Sequence, residues 1–119
     1  MRLTILYAED DNTVRLAVKE TLEREGWRVE ACADGWTALA RLEGGESYAL
    51  LLFDNLLPGF DGIELTRRAR SLAHRRRTPV VVVSASEVEA EALNAGADLF
   101  LRKPQDIGRV AAEVARLLR

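Results

Sequence analysis

Cysteine, histidine, proline and long apolar runs are all scarce in this sequence of 119 residues. Its only cysteine is Cys32, which excludes an internal disulfide and favours a cytoplasmic location. No apolar run approaches the roughly 20 residues of a membrane-spanning helix, and nothing resembles a signal peptide, so no membrane partner is expected. The net charge of −2 gives no general attraction to nucleic acid, and no direct nucleic-acid binding is expected.

The length and composition suit one soluble globular domain. Hydrophobic residues make up 48% of the chain and charged residues 30%, which is ordinary for such a domain. A chain of this length can bury a single core, and no repeat or flexible linker divides it. The sequence therefore predicts one domain over residues 1–119.

Strand-like and helix-like segments alternate along the chain. The predicted strands cover residues 3–8, 28–33, 49–53, 79–84 and 98–102. The predicted helices begin after Asp11 or Asn12 and end at Gly26, then cover residues 36–42, 61–72 and 87–94, and the last has an apolar stripe from Ile107 to Leu118. Five such alternations predict an α/β fold, a doubly wound parallel sheet with helices on both faces.

Polar side chains follow or end four of the predicted strands. They are Glu9, Asp10, Asp11, Asp54, Ser84 and Lys103. The carboxyl ends of parallel strands share one edge of the sheet, so these side chains are expected to lie together. Clustered carboxylates repel one another unless a cation intervenes, and Mg²⁺ suits carboxylates, a carbonyl and water. The set fits phosphoryl transfer with Asp54 as the acceptor, whereas Asp11 fits better as a helix cap.

Four motifs relate the chain to a known family. They are ILYAEDD, LLFDNLLPGFDG, VVVVSAS and GADLFLRKP. In these motifs the sequence resembles the receiver domain of bacterial two-component response regulators, over essentially its whole length. The resemblance implies a CheY-like, flavodoxin-like (βα)5 fold with strand order 2-1-3-4-5. It also implies a switch phosphorylated by a sensor histidine kinase or a histidine phosphotransfer protein, with an unknown downstream protein target. Such a chain catalyses only its own phosphorylation and dephosphorylation and is not otherwise an enzyme.

The resemblance implies a metal-binding role for four residues. Asp10 would bind Mg²⁺ directly, and Glu9 would act mainly through water. Asp54 would be the nucleophile and, through its other carboxylate oxygen, a metal ligand. The backbone carbonyl of Leu56 would complete the set of protein ligands.

The resemblance also implies roles in sensing the phosphoryl group. Lys103 would pair with one phosphoryl oxygen, and Ser84 would donate a hydrogen bond to another. Phe100 would be an aromatic switch that turns inward when Ser84 moves. The Lys103–Pro104 peptide bond would be cis, which is uncommon even before proline.

The sequence departs from the family pattern at three places. Ser84 to Gly96 spans only 12 positions, about one helical turn fewer than usual, which puts oligomerisation through the fourth-helix face in doubt. Phe100 replaces the commoner tyrosine, and its inward state is expected to be easier to populate because the ring has no hydroxyl to keep in water. Gln105 stands where an apolar aromatic is common, so the last helix is expected to pack more loosely at its start.

Several interpretations stay open on the sequence alone. The basic segment 74–77 is either a solvated helix end, which is favoured, or a nucleic-acid patch. Trp27 and Trp36 are expected to pack near the second strand. The chain could also be an interaction module that works without phosphorylation, or a hydrolase with an aspartyl-phosphate intermediate. Leu56, where such phosphatases carry a second aspartate, argues against the hydrolase.

Overall fold

The computed structural model describes residues 2–119, so the predicted domain of residues 1–119 extends one residue beyond it. The strands are β1 (Thr4–Ala8), β2 (Arg28–Cys32), β3 (Leu50–Asp54), β4 (Val80–Ser84) and β5 (Leu99–Arg102). The helices are α1 (Asn12–Arg24), α2 (Gly35–Glu43), α3 (Gly62–Ser71), α4 (Glu89–Ala95) and α5 (Val110–Leu117). A short 3₁₀ segment, Ile107–Arg109, precedes α5.

The five strands form one parallel sheet in the order β2-β1-β3-β4-β5. The predicted doubly wound α/β fold and its strand order are confirmed. Every residue of β3 and β4 is buried, as expected for central strands covered on both faces. The register pairs Asp54 with Val83 and Ser84 with Arg102, so the polar strand ends lie nearly level at one edge.

The core has two layers, one on each face of the sheet. Neighbouring residues along a strand point to opposite faces, so Leu51 and Phe53 join one layer while Leu50 and Leu52 join the other. The first layer includes apolar side chains from α2, α3 and α4, and the second includes side chains from α1 and α5. Helices on both faces leave the carboxyl edge of the sheet as the place where polar groups can reach solvent.

Aspartates start three of the helices. The side chains of Asp11, Asp34 and Asp61 accept hydrogen bonds from backbone amides of the first turns of α1, α2 and α3, at 2.9, 2.7 and 2.8 Å. Asp11 is therefore the cap of α1, as favoured, and Asn12 is the first helical residue. At α3, Glu64 accepts in return from the Asp61 amide at 2.9 Å, which completes a capping box.

The second half of the chain differs most from the sequence prediction. The fourth helix begins at Glu89, two residues later than predicted, and no side chain caps it. The last helix is α-helical only from Val110, because residues 107–109 form a 3₁₀ turn. Gln105 is exposed just before that turn and contributes no apolar anchor to it.

Two residues of the basic segment 74–77 contact the end of α2. One ring nitrogen of His74, Nε2, lies 3.1 and 2.8 Å from the carbonyl oxygens of Leu42 and Gly44. Arg75 is only 2% exposed, and its guanidinium donates to the carbonyl oxygens of Leu42, Arg41 and Gly44 at 3.0–3.2 Å. It also lies 4.8 Å from the centre of the Tyr48 ring. The favoured interpretation of a solvated helix end is thus wrong for Arg75, which satisfies the last carbonyls of α2.

The two tryptophans have different surroundings. Trp27 packs against the core layer beside α1, as predicted. The side chain of Trp36 is 64% exposed, so its expected packing near the second strand is wrong. Within residues 2–119, no helix is both long and apolar enough to cross a bilayer.

Candidate functional site

Three carboxylates meet at the carboxyl edge of the sheet. Glu9, Asp10 and Asp54 each offer one oxygen, and these oxygens all lie within 4.8 Å of one another. Glu9 follows β1 and is 1% exposed, Asp54 ends β3 and is 4% exposed, and Asp10 is exposed. The parallel pairing of β1 with β3 brings the two buried acids together, although they are far apart in the sequence.

Lys103 supplies the positive charge of this cluster. Its Nζ lies 2.7 Å from Glu9 Oε1 and 3.4 Å from Asp54 Oδ1. The amide of Lys103 also donates to the Ser84 carbonyl at 3.0 Å, which fixes the residue at the end of β5. One ammonium therefore faces two buried carboxylates and leaves the cluster with excess negative charge.

The protonation of Asp54 reflects that excess. Burial and the nearby charge of Glu9 raise its pKa from 3.8 to about 7, while Lys103 opposes the increase. Burial by itself would lower the pKa of Lys103, but its contacts with Glu9 and Asp54 raise the pKa above its ordinary value. The lysine is thus held in its charged form, and a further cation would favour the ionised form of Asp54.

The donor set fits a magnesium ion. Carboxylate and carbonyl oxygens are the hard ligands that Mg²⁺ prefers, and it commonly keeps several waters as well. Asp10 and Leu56 border the same open cleft, so an ion beside Asp10 would be within reach of the loop that carries the Leu56 carbonyl. The exposed Asp10 leaves one side of the cluster open to solvent.

Ser84 and Phe100 lie on the adjacent strands β4 and β5. Ser84 is fully buried, and its hydroxyl oxygen accepts a hydrogen bond from the Ser86 amide at 3.0 Å. Phe100 is 7% exposed and belongs to the core layer that includes side chains of α4. The guanidinium of Arg102 lies 5.6 Å from the centre of the Phe100 ring. The Lys103–Pro104 peptide bond is cis, as the resemblance implied.

Asn55 is a positioning residue that the sequence reasoning did not identify. Its side-chain oxygen accepts from the Ile63 amide at 3.0 Å, and its carbonyl accepts from Gly62 at 3.2 Å. Its own amide donates to the Val83 carbonyl at 2.8 Å. These bonds tie the loop that follows Asp54 to both β4 and the start of α3. A polar residue directly after a buried strand was the only signal for it in the sequence.

Glu9 is also held by contacts that the sequence did not reveal. Its Oε2 accepts from the Asp11 amide at 3.2 Å, and its carbonyl accepts from Arg15 Nη1 at 2.8 Å. Together with the bond to Lys103, these contacts fix Glu9 in one orientation. No sequence pattern predicts that Arg15 contacts Glu9, because the contact arises only when α1 packs against the sheet and places Arg15 at the end of β1.

Comparisons with known proteins agree with this geometry. Residues 5–115 match the family model described as the response regulator receiver domain. The transcriptional regulatory protein CseB of Streptomyces coelicolor is 36% identical over 118 residues, which are 97% of this chain and 49% of the relative. The chain spans about half or less of the length of the curated relatives that it matches.

Solved structures give the same result. The chemotaxis response regulator CheY4 of Vibrio cholerae superposes with a TM-score of 0.90 at 26% identity, covering 99% of this chain and 100% of that one. The receiver domain of the sensor histidine kinase PA1611 from Pseudomonas aeruginosa superposes with a TM-score of 0.88 at 28% identity, covering 99% and 98%. The latter structure has a magnesium ion coordinated in its active-site cleft.

Proposed function

This chain belongs to the response regulator receiver family, and from that premise we propose that it is a phosphoacceptor switch in which Asp54 receives the phosphoryl group. The observation that carries the proposal is the buried Asp54 carboxylate, 3.4 Å from the Lys103 ammonium and clustered with two further acids. The donor would be a phosphohistidine on a sensor histidine kinase or a histidine phosphotransfer protein. The chain would act as a catalyst only for its own phosphorylation and dephosphorylation.

The residues of the cluster would divide the chemistry among them. One ionised oxygen of Asp54 attacks the phosphorus, the phosphorus–nitrogen bond breaks, and the departing imidazole takes up a proton. Lys103 is placed to pair with an oxygen of the transferred group, since its Nζ already faces Asp54. Bound Mg²⁺ would neutralise charge on the phosphoryl oxygens, and Glu9, Asp10, Asp54 and the Leu56 carbonyl would hold it.

Ser84 and Phe100 would convert phosphorylation into a change of shape. The Ser84 hydroxyl would donate to a phosphoryl oxygen while its oxygen still accepts from the Ser86 amide, which would draw the segment after β4 toward the site. The Phe100 ring is already buried in this conformation, in keeping with an inward state that is easy to populate. Phosphorylation would then shift a pre-existing equilibrium and alter partner binding.

The downstream partner is a separate question from the switch. Some relatives are named transcriptional regulators, and they are about twice the length of this chain. We propose that any contact with nucleic acid would require residues outside this domain, because a net charge of −2 gives this chain no general attraction to nucleic acid. A cytoplasmic location likewise stays a prediction from the cysteine content.

Intact mass spectrometry tests the proposal most directly. Wild-type protein incubated with acetyl phosphate and Mg²⁺ should gain the mass of one phosphoryl group, and omission of Mg²⁺ should abolish the gain. Asp54→Asn, which preserves the shape of the side chain, should not be modified. Asp11→Asn is the matched control, because asparagine also caps helices and Asp11 lies outside the carboxylate cluster, so it should be modified like the wild type.

A negative result would favour the second candidate function. The seven-residue, uncapped α4 is the feature that supports an interaction module working without phosphorylation. Failure of the wild type to gain a phosphoryl group, to bind Mg²⁺ and to respond to beryllofluoride would contradict the switch. Modification of Asp54→Asn as fast as wild type would contradict the assignment of Asp54.

A further inference from the structure

Trp36 is a large apolar side chain left on the surface beside the loop between β3 and α3. It is the second residue of α2 and is 64% exposed, whereas most of the large apolar residues of this chain are buried. Its ring meets Phe60 edge-on, with ring centres 4.8 Å apart and planes inclined by 75°. The exposed tryptophan therefore covers the loop between β3 and α3 rather than the core.

The contact with that loop is close. Gly59 has a φ of +88°, and a Cβ at this position would lie 2.4 Å from Nε1 of Trp36. Next to it, the amide of Gly35 donates to the Pro58 carbonyl at 2.7 Å. A Cβ on Gly35 would lie 2.0 Å from the Phe60 carbonyl oxygen. The start of α2 thus contacts residues 58–60 in two ways. The backbone of Gly35 lies against Pro58 and Phe60, and the indole ring of Trp36 lies against Gly59.

The same loop carries Leu56 between two fixed points. At the start of the loop, Asn55 is hydrogen-bonded to β4 and to α3. Farther along the loop, residues 58–60 are held by their contacts with α2. The Leu56 side chain is 60% exposed and makes no apolar anchor of its own. Leu57, the next residue, is buried in the first core layer, and its amide donates to the Asn55 carbonyl at 3.1 Å. The direction of the Leu56 carbonyl therefore depends on Leu57 and on the attachments on either side of it.

We propose that Trp36 is a positioning residue for the magnesium site, acting through residues 58–60 to orient the Leu56 carbonyl. The inference rests on the proposed function, since it takes that carbonyl as a ligand. Groups that orient metal ligands without touching the metal typically change metal affinity by 10- to 100-fold. Trp36 acts one step further away, so its removal is expected to weaken Mg²⁺ binding by about 5- to 10-fold.

The test compares Mg²⁺ affinity, measured by titration calorimetry, in four proteins. Trp36→Ala should bind about 5- to 10-fold more weakly than wild type, and Trp36→Phe, which keeps a ring over Gly59 and Phe60, should stay within about 2-fold. Leu93→Ala is the matched control, because it truncates a 45% exposed apolar residue on α4, away from the loop. It should bind Mg²⁺ like the wild type.

A second readout does not depend on the stability of the alanine variant. In Trp27→Phe, Trp36 is the only remaining tryptophan, and its emission should change on addition of Mg²⁺ with the midpoint found by calorimetry. The positioning role would be overturned if Trp36→Ala bound Mg²⁺ with wild-type affinity, or if the Trp36 emission of Trp27→Phe did not change when Mg²⁺ bound. Either result would leave the magnesium site itself intact. Absence of Mg²⁺ binding in the wild type would instead contradict the proposed site, and the role of Trp36 with it.

Discussion

Glu9, Asp54 and Lys103 form a cluster in which Glu9 and Lys103 act in opposite directions on the pKa of Asp54. The single ammonium approaches both carboxylates but balances only one of them. Such an arrangement is poor for stability, because buried charge without full compensation costs free energy. It is suited to binding a cation, which would supply the missing compensation and so allow a phosphoryl group to approach.

Asp54→Asn tests that balance through the pH dependence of stability. The pKa of Asp54 is about 7 in the folded protein and near 3.8 when unfolded, so its contribution to stability is complete below about pH 4 and is lost as pH rises through 7. Near pH 8 and without divalent cations, we expect Asp54→Asn to be more stable than wild type, with a free energy of unfolding about 2 kcal/mol higher. Urea unfolding should show this difference shrinking toward pH 4, and a difference that does not vary with pH would contradict it.

Arg75 is a second buried charge, with a different purpose. Its guanidinium satisfies carbonyl oxygens at the end of α2 and packs over Tyr48, while it belongs to the segment between α3 and β4. A helix end that is buried must have its last carbonyls satisfied by some donor. Arg75 therefore joins two parts of the chain that are about thirty residues apart.

Arg75→Ala should destabilise the protein strongly. Removal of the guanidinium takes away three hydrogen bonds to backbone carbonyls, although the His74 ring and the Gly44 amide still contact them, and it uncovers the Tyr48 ring. A loss of about 2–4 kcal/mol in the free energy of unfolding is expected. Arg77→Ala, which changes an exposed arginine two residues later, should stay within about 0.5 kcal/mol of wild type. Equal effects of the two substitutions in urea unfolding would show that Arg75 has no special role.

The helices differ in how firmly their first turns are fixed. α3 has a full capping box between Asp61 and Glu64, and it directly follows the loop that carries Leu56. α4 has seven residues and no side-chain cap, and its neighbour Arg102 pairs with Glu87 and Glu89 just before and at its start. The side of the site facing α3 is thus rigid, whereas the side facing α4 is held mainly by exposed ion pairs, which are weak.

Asp61→Ala is the corresponding test for α3. Loss of a helix cap typically costs about 1 kcal/mol, and loss of the reciprocal bond with Glu64 adds to it, so a decrease of about 1–2 kcal/mol is expected. Asp61→Asn can still cap and should retain most of the stability. Chemical unfolding measures both variants, and a decrease of the same size in Asp61→Asn would point to charge rather than capping as the cause.

At the scale of the whole molecule, the proposed Mg²⁺ site would couple metal binding to folding. All the proposed ligands converge only when β1 and β3 are paired and the loop after β3 is in place, so Mg²⁺ should bind the folded chain and not the unfolded one. Mg²⁺ at about 100 times its dissociation constant would add about 2.7 kcal/mol to the free energy of unfolding. Binding requires ionised carboxylates, and a raised pKa at Asp54 makes it weaker below neutral pH.

Thermal unfolding provides the measurement at this scale. Near pH 8, saturating Mg²⁺ should raise the midpoint of wild type by about 10 °C, from the usual relation between stability and melting temperature for domains of this size. The increase should be smaller near pH 5, where Asp54 holds its proton. Asp10→Asn, which removes the exposed ligand, should lose most of the increase at both pH values, and an unchanged increase would exclude Asp10 from the site.

Local sequence pattern is enough to predict the fold class and the main site. Alternating apolar runs with strand and helix lengths admit little besides a parallel sheet covered on both faces, and the polar residues at the run ends must then share an edge. Glu9, Asp54 and Lys103 were found this way because each lies directly at a strand end, where local sequence and position in the fold coincide. Asp11 as a cap followed from equally local chemistry.

Residues whose role depends on a distant segment can be identified only once the chain is folded. Arg75 looks like one of several basic residues in the sequence, and it is buried because the chain before β4 passes the end of α2. Trp36 looks like a core residue, yet it lies over Gly59 because two loops meet at the edge of the sheet. Asn55 and Arg15 are alike in this respect. The local sequence pattern shows which face of a helix or strand is apolar. It does not show which backbone groups of another element will lie against that face and need a hydrogen-bond partner.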